Sequence, residues 1–255
     1  MNFFRRLFGR SEAPPATAAP APTSLPAPTS PPAGADFPFP LHAVPGERAL
    51  DELERLRELG RAEGFTAVLL GEESNLADLL EGIRDAESSP AEIVAAAAGV
   101  QVEAWFEERV ADDPEQYEVE AGSWDEKAEP VGIMLHKDYR GRYHGTVYIA
   151  RIPTARSWEV PAHLNLGGWN ECPPADAQVA VSSHWHEKYG AEIVAVGRDV
   201  IQYRVSRPPA DPASAERLAL EQFRYCSDIV HQGTETLRGL AGSLLGSDTW
   251  YFWWD

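Results

Sequence analysis

Trp250-Tyr251-Phe252-Trp253-Trp254-Asp255 sets five consecutive rings against an acidic residue. A run of exposed rings is an aggregation hazard, so these side chains need cover. Read as a strand, the segment sends Trp250, Phe252 and Trp254 to one face and Tyr251 and Trp253 to the other. Rings on both faces predict an inner strand of a sheet with helices packed over it. Each buried ring contributes roughly 2–3 kcal/mol by area, enough for this segment to hold the domain closed. The competing reading is a surface on which a ligand stacks or a partner docks.

Working back from this end, Leu237, Leu240, Ala241 and Leu244 mark a short helix that Gly246 separates from the aromatic strand. Before it, Asp211 caps a helix opened by Pro212, with Ala219, Phe223, Cys226 and Val230 on one face and Gly233 as its break. Residues 191–196 and 200–205 read as a hairpin around Gly197-Arg198-Asp199. Pro173 and Pro174 open a helix with Val181, Trp185 and Tyr189 on its inner side, stopped by Gly190. Residues 131–135 and 146–152 read as a second hairpin, joined through Gly141 and Gly145.

Further upstream, residues 46–60 have leucines near helical spacing (Leu50, Leu53, Leu56 and Leu59), with Gly60 as a stop. Residues 65–70 read as a short buried strand ending at Gly71. Ser74 or Asn75 can cap the next helix, whose apolar side is Leu76, Leu79, Leu80 and Ile83. A helix over residues 90–98 follows. The strand–Gly–helix order does not make a phosphate loop. It has no Gly-rich run or Lys-Ser/Thr pair, and Glu72 and Glu73 repel phosphate.

The expected class is α+β or α/β: a mixed β-sheet flanked by helices, ending in a buried aromatic strand and preceded by a disordered tether. Residues 11–36 are Pro, Ala, Thr and Ser with almost nothing apolar to bury, the composition of a disordered linker. Ahead of it, residues 1–10 place Phe3, Phe4, Leu7 and Phe8 among Arg5, Arg6 and Arg10. That pattern suits weak peripheral docking to an anionic membrane or to another protein. Residues 37–130 form the acidic first part of the folded region, and residues 131–255 are expected to pack with it as one unit.

No apolar run approaches the roughly 18 residues of a membrane span. The first ten residues lack a signal-peptide core, and two cysteines in 255 residues agree with a reducing compartment, so a cytoplasmic location is expected. The net charge of −18 is concentrated: residues 36–130 hold 25 acids against seven bases. Its densest stretch contains Glu107, Glu108, Asp112 and Asp113. Such a surface repels nucleic acid and attracts a basic protein partner. The plainer alternative is a solvated acidic face that keeps the protein in solution.

Four blocks in the last hundred residues carry a family resemblance: Gly167-Gly168-Trp169-Asn170-Glu171-Cys172-Pro173; Trp185 with Tyr189-Gly190-Ala191-Glu192; Tyr225-Cys226-Ser227-Asp228-Ile229-Val230 with Gln232-Gly233; and Trp250 to Asp255. Over about residues 160–255 the chain resembles the bacterial domain-of-unknown-function family 4253. The resemblance implies no catalytic residues, since the family has no established activity. Relatives tend to have Pro where this chain has Ser227, and Pro there bends or ends a helix.

Cys172 and Cys226 are soft zinc ligands in principle, with His184, His186 or His231 to complete a set. His184 and His186 lie about 200° apart around a helix and cannot meet at one metal, so no metal and no cofactor is expected. A Cys226 nucleophile with His231 as base and Asp228 as orienting acid is the weak catalytic candidate, near the 167–172 loop. The plain reading of Cys226 is a small core hydrophobe beside Phe223. Gly167, Gly168, Trp169 and Asn170 suit a recognition loop, because the glycines permit positive φ while the Trp and Asn stack and hydrogen-bond. The leading expectation is a non-enzymatic interaction module, of immunity or regulatory type, with a basic partner. The alternative is a hydrolase-like enzyme, and oligomeric state is left open.

Overall fold

The computed structural model describes residues 36–124 and 130–255. The expectations for the residue 1–10 peptide and for residues 11–35 of the 11–36 linker lie outside these. One six-stranded sheet runs through the fold, from β1 (Leu41–Val44), β2 (Thr66–Gly71), β3 (Val147–Ile152), β4 (Ala191–Val196), β5 (Val200–Val205) and β6 (Thr249–Trp253). Their order is β1-β3-β2-β4-β5-β6. β2 and β4 are parallel, and the other neighbours are antiparallel. This is an α+β fold with a mixed sheet. Its first two strands come from the acidic half and the other four from residues 131–255.

Period-2 alternation decides which layer each strand residue enters. On one face Ala67, Leu69, Val147, Ile149 and Val194 meet α1 (Ala49–Glu63) through Leu53 and Leu56. On the other, Val68, Leu70, Ala150, Ile152, Ile193 and Tyr203 face a thicker helical layer. That layer contains α2 (Glu73–Arg84), α3 (Pro90–Ala97), α4 (Val102–Asp112), α5 (Val160–Leu164), α6 (Ala175–Tyr189), α7 (Pro212–Tyr225) and α8 (Leu237–Leu244).

The stop and start signals are mostly where the sequence places them. Ser89 caps α3 in a reciprocal box with Glu92, and Asp211 does the same for α7 with Ser214. Gly190 ends α6 in the left-handed conformation at φ 62°. Two boundaries differ. α1 passes Gly60, which is buried where the backbone of Phe65 leaves no room for a side chain, and ends at Gly64, φ 82°. α2 starts one residue ahead of Ser74, with Glu72 as its extended N-cap.

Three larger expectations are corrected. Residues 131–135 do not pair with β3, whose partners are β1 and β2. They cross β5 and β6 instead, where the buried Gln202 amide bonds Gly132 O (2.9 Å) and Met134 N (2.8 Å) and Thr249 Oγ1 bonds Val131 O (2.9 Å). The aromatic strand β6 is an edge strand, not an inner one, since among the described residues β5 is its only neighbour. Its rings are buried as expected on the helical face. Trp185 of α6 stacks on Phe252 at 5.2 Å and meets Trp250 edge-on at 5.6 Å, while Tyr225 lies edge-on to Trp254 at 5.4 Å. Tyr251 and Trp253, on the face crossed by residues 131–135, are half-buried.

The third correction concerns Cys226. α7 ends at Tyr225, and Cys226 is extended (φ −145°, ψ 96°). Val230 therefore belongs to a separate turn, Ile229–Thr234. The helix stops here with Ser, so proline at position 227 is not needed to end it.

Candidate functional site

The 167–172 loop is built by backbone geometry that few residues allow. Asn165 (φ 47°) ends α5, and Gly167 (φ 91°), Gly168 (φ 79°) and Asn170 (φ 44°) turn the chain back. A Cβ on Gly167 would sit 1.9 Å from Pro173 O, so no other residue fits there. The buried Gln178 side chain fastens both ends, its Nε2 donating to Leu166 O (3.0 Å) and Pro173 O (2.8 Å). Asn165 Nδ2 donates to Gly82 O at 2.9 Å and ties the loop to α2.

Fixed in this way, Trp169 forms one wall of a cleft of about 310 Å³. Leu164 and Leu166 contribute its apolar side, and Asp78 and Glu81 of α2, with Asp85 just past its end, contribute its charge. A second depression of about 340 Å³ shares Asp85 and Asn165 with the first and adds Glu87, Glu92 and Asp176. The two make one groove that is lined, among the described residues, by six carboxylates and one cation, Arg198, whose Nη1 is 4.0 Å from Asp78 Oδ1. Glu81, Asp85, Glu87 and Asp176 make no ion pair among the described residues. A guanidinium or ammonium group gains from carboxylates on one side and an indole face on the other.

Sequence reasoning found the loop and missed the α2 wall. The signal was present: Asp78, Glu81 and Asp85 are spaced i, i+3, i+7, which aligns them on one helical face. Glu107, Glu108 and Asp112 project from the exposed side of α4, whose inner side buries Val102 and Phe106. Asp113 follows the helix and accepts from Gln116 N at 3.2 Å. Arg109 of α4 donates to Glu171 O at 3.1 Å and to Arg224 O at 2.9 Å. The loop thus sits between two acidic surfaces, Trp169 toward the groove and Glu171 toward α4.

The weak catalytic candidates do not assemble. Cys226 is fully buried and its thiol donates to Trp253 O at 2.9 Å. Burial pushes that thiol well above its ordinary range, so the nucleophilic thiolate is suppressed. His231 Nε2 is engaged with Gln116 O at 2.7 Å. Asp228 accepts from Gln232 Nε2 (3.0 Å) and from Asp255 N (3.1 Å). No hydrogen bond joins any two of the three, because the end of α7 at Tyr225 turns Cys226 inward and leaves His231 on the next turn.

His184 and His186 also diverge. His184 faces Glu221 at 3.5 Å, while His186 Nδ1 is 3.1 Å from Ala191 O. Among the described residues no group of three His, Cys, Asp or Glu side chains is arranged to hold a metal ion.

The quoted sequence blocks converge on the last residues of the chain. Asn170 Nδ2 donates to Asp255 O (2.9 Å), Asp228 accepts from Asp255 N, Cys226 bonds Trp253 O, and Trp185 stacks on Phe252. Residues 148–255 match the family model for a domain of unknown function, DUF4253. Neither the curated proteins nor the solved structures contain a match. The matched region holds the loop and the aromatic end, whereas the α2 wall of the groove lies upstream of it.

Proposed function

We propose that this protein is a non-enzymatic interaction module that takes a basic segment of a protein partner into the groove between α2 and the 167–170 loop. The observation that carries this reading is the composition of the groove: six carboxylates, one arginine at the rim and the Trp169 ring. Exposed charge pairs contribute little singly, so several must act together with ring contact to hold a segment. Glu107, Glu108, Asp112 and Asp113 on the far side of the loop add a long-range field that steers a basic partner toward it. An immunity-type or regulatory role in the cytoplasm is the most concrete form of this activity. Among the described residues no helix is long and apolar enough to cross a membrane.

The test is a titration of an arginine-rich decapeptide into the full chain. Asp78→Asn/Glu81→Gln/Asp85→Asn should weaken binding about tenfold, with a similar loss on raising salt from about 0.05 to about 0.3 M. Affinity indifferent to both changes would make the groove a solvated surface only. In the hydrolase-like alternative, Cys226, His231 and Asp228 would have to leave their partners Trp253 O, Gln116 O and Gln232 Nε2 to act together.

A further inference from the structure

The groove is acidic and partly apolar, and the same chain contains a segment of complementary character. Residues 1–10 have Arg5, Arg6 and Arg10, no acid, and Phe3, Phe4, Leu7 and Phe8 interleaved with them. We infer that residues 1–10 are themselves a ligand of the groove between α2 and the 167–170 loop, docking in cis. This inference rests on the groove reading above and names an occupant for it.

The point of attachment favours this pairing. The described chain starts at Asp36, whose Oδ2 is 3.6 Å from Nη2 of Arg84, the last residue of α2. The next residue, Asp85, lines both depressions. Phe39 lies edge-on to His163 at 6.0 Å, one residue before Leu164 of the cleft. Asp36 therefore lies at the rim of the groove. The 25 residues between Arg10 and Asp36, at up to about 3.3–3.6 Å each, have the reach to return to the same rim. Tethering at that length sets a local concentration on the order of 1 mM, which fills even a weak site.

The chemistry matches on both counts. Three guanidinium groups meet Asp78, Glu81, Asp85, Glu87 and Asp176, and the phenyl rings meet the partly exposed Trp169. An anionic membrane is the competing occupant of such a segment. It would have to approach a chain of net charge −18, which its surface potential repels.

The experiment uses the full chain. Cys172 and Cys226 are 4% and 0% exposed, so Asn2→Cys accepts a spin label selectively. At low salt the label should broaden the Trp169 indole N–H resonance at least twofold. Arg5→Glu/Arg6→Glu/Arg10→Glu, or about 0.5 M salt, should abolish the broadening. A separate peptide of residues 1–10 should bind the charge-reversed chain about tenfold more tightly than the wild type, whose groove is already occupied. Adding Asp78→Asn/Glu81→Gln/Asp85→Asn to the charge-reversed chain should remove that binding. Equal affinity for the wild-type and charge-reversed chains, still lost in the groove variant, would refute docking in cis and leave the groove reading standing. Peptide binding that ignores the groove substitutions, or no binding at all, would overturn both. Absent broadening, with arginine-dependent binding of the wild type to phosphatidylserine vesicles, would make a membrane the occupant and overturn the inference.

Discussion

The Cys226 thiol donates to the Trp253 carbonyl across 2.9 Å, joining the end of α7 to the edge strand β6. This contact makes Cys226 a structural residue. Cys226→Ser keeps a donor for the same carbonyl but places a hydroxyl in an apolar site, and should cost about 1–2 kcal/mol. Both thiols should resist alkylation in the native protein at pH 8 and react only after denaturant is added, since burial raises their pKa values. Rapid native labelling of Cys226 would reverse this assignment.

The aromatic end is an edge strand, yet its inward rings are core. Phe252→Ala should cost roughly 3–5 kcal/mol, because Phe252 is fully buried against Trp185 and Tyr225. Trp253 is half-buried, and its Nε1 donates to Asp199 Oδ2 at 3.1 Å. Trp253→Ala should therefore cost less than Phe252→Ala in chemical denaturation. Removing residues 250–255 should leave an unfolded or insoluble chain, since a domain has only about 5–15 kcal/mol to lose. A soluble truncation that melts cooperatively would move the functional site to these rings.

Gly167 and Gly168 separate local strain from tertiary exclusion. Both have positive φ, but a Cβ on Gly168 meets open space whereas one on Gly167 meets Pro173 O. Gly168→Ala should cost about 1–2 kcal/mol, the usual penalty of the left-handed region. Gly167→Ala should cost more, and should weaken basic-peptide binding by displacing Trp169. Equal melting temperatures for the two variants would refute this.

His136 should make stability depend on pH. It is 3% exposed, and burial, with Lys137 and His144 nearby, lowers its pKa to about 4. His144 is itself paired with Glu72, Nδ1 to Oε2 at 3.1 Å. The folded pKa is below the unfolded value near 6.5, so the unfolded chain binds more protons between these values. The contribution of His136 is present above about pH 6.5 and is lost as pH falls toward 4. The limiting slope is about 1.4 kcal/mol per pH unit. Wild type minus His136→Gln, compared by urea denaturation from pH 4 to 7, should isolate this component. A pH-independent difference would remove His136 from the account.

Local signals proved legible where one residue type answers one backbone need. Gly190 ends α6 and Asp211 opens α7 because a left-handed cap and an N-cap acceptor are requirements of the nearest turn. The 167–170 loop was legible for the same reason. Pairing partners were less so. Residues 131–135 have the apolar pattern of a strand, but the Gln202 amide bonds their backbone from the neighbouring strand. Nothing within either segment encodes that meeting.

Taken alone, the sequence determined a mixed sheet flanked by helices, the burial of the aromatic end, the acidic first half and the glycine turn at residues 167–168. These follow from composition, short-range periodicity and turn stereochemistry, which act over a few residues. Only the tertiary structure decided that β6 lies at the sheet edge, that Cys226, His231 and Asp228 point to separate partners, and that α2 closes a groove against Trp169. Those outcomes depend on contacts between residues 83 to 115 positions apart, such as Asn165 with Gly82, Asn170 with Asp255 and His231 with Gln116. Such contacts form only once the whole sheet has brought its helices together, so no local pattern carries them.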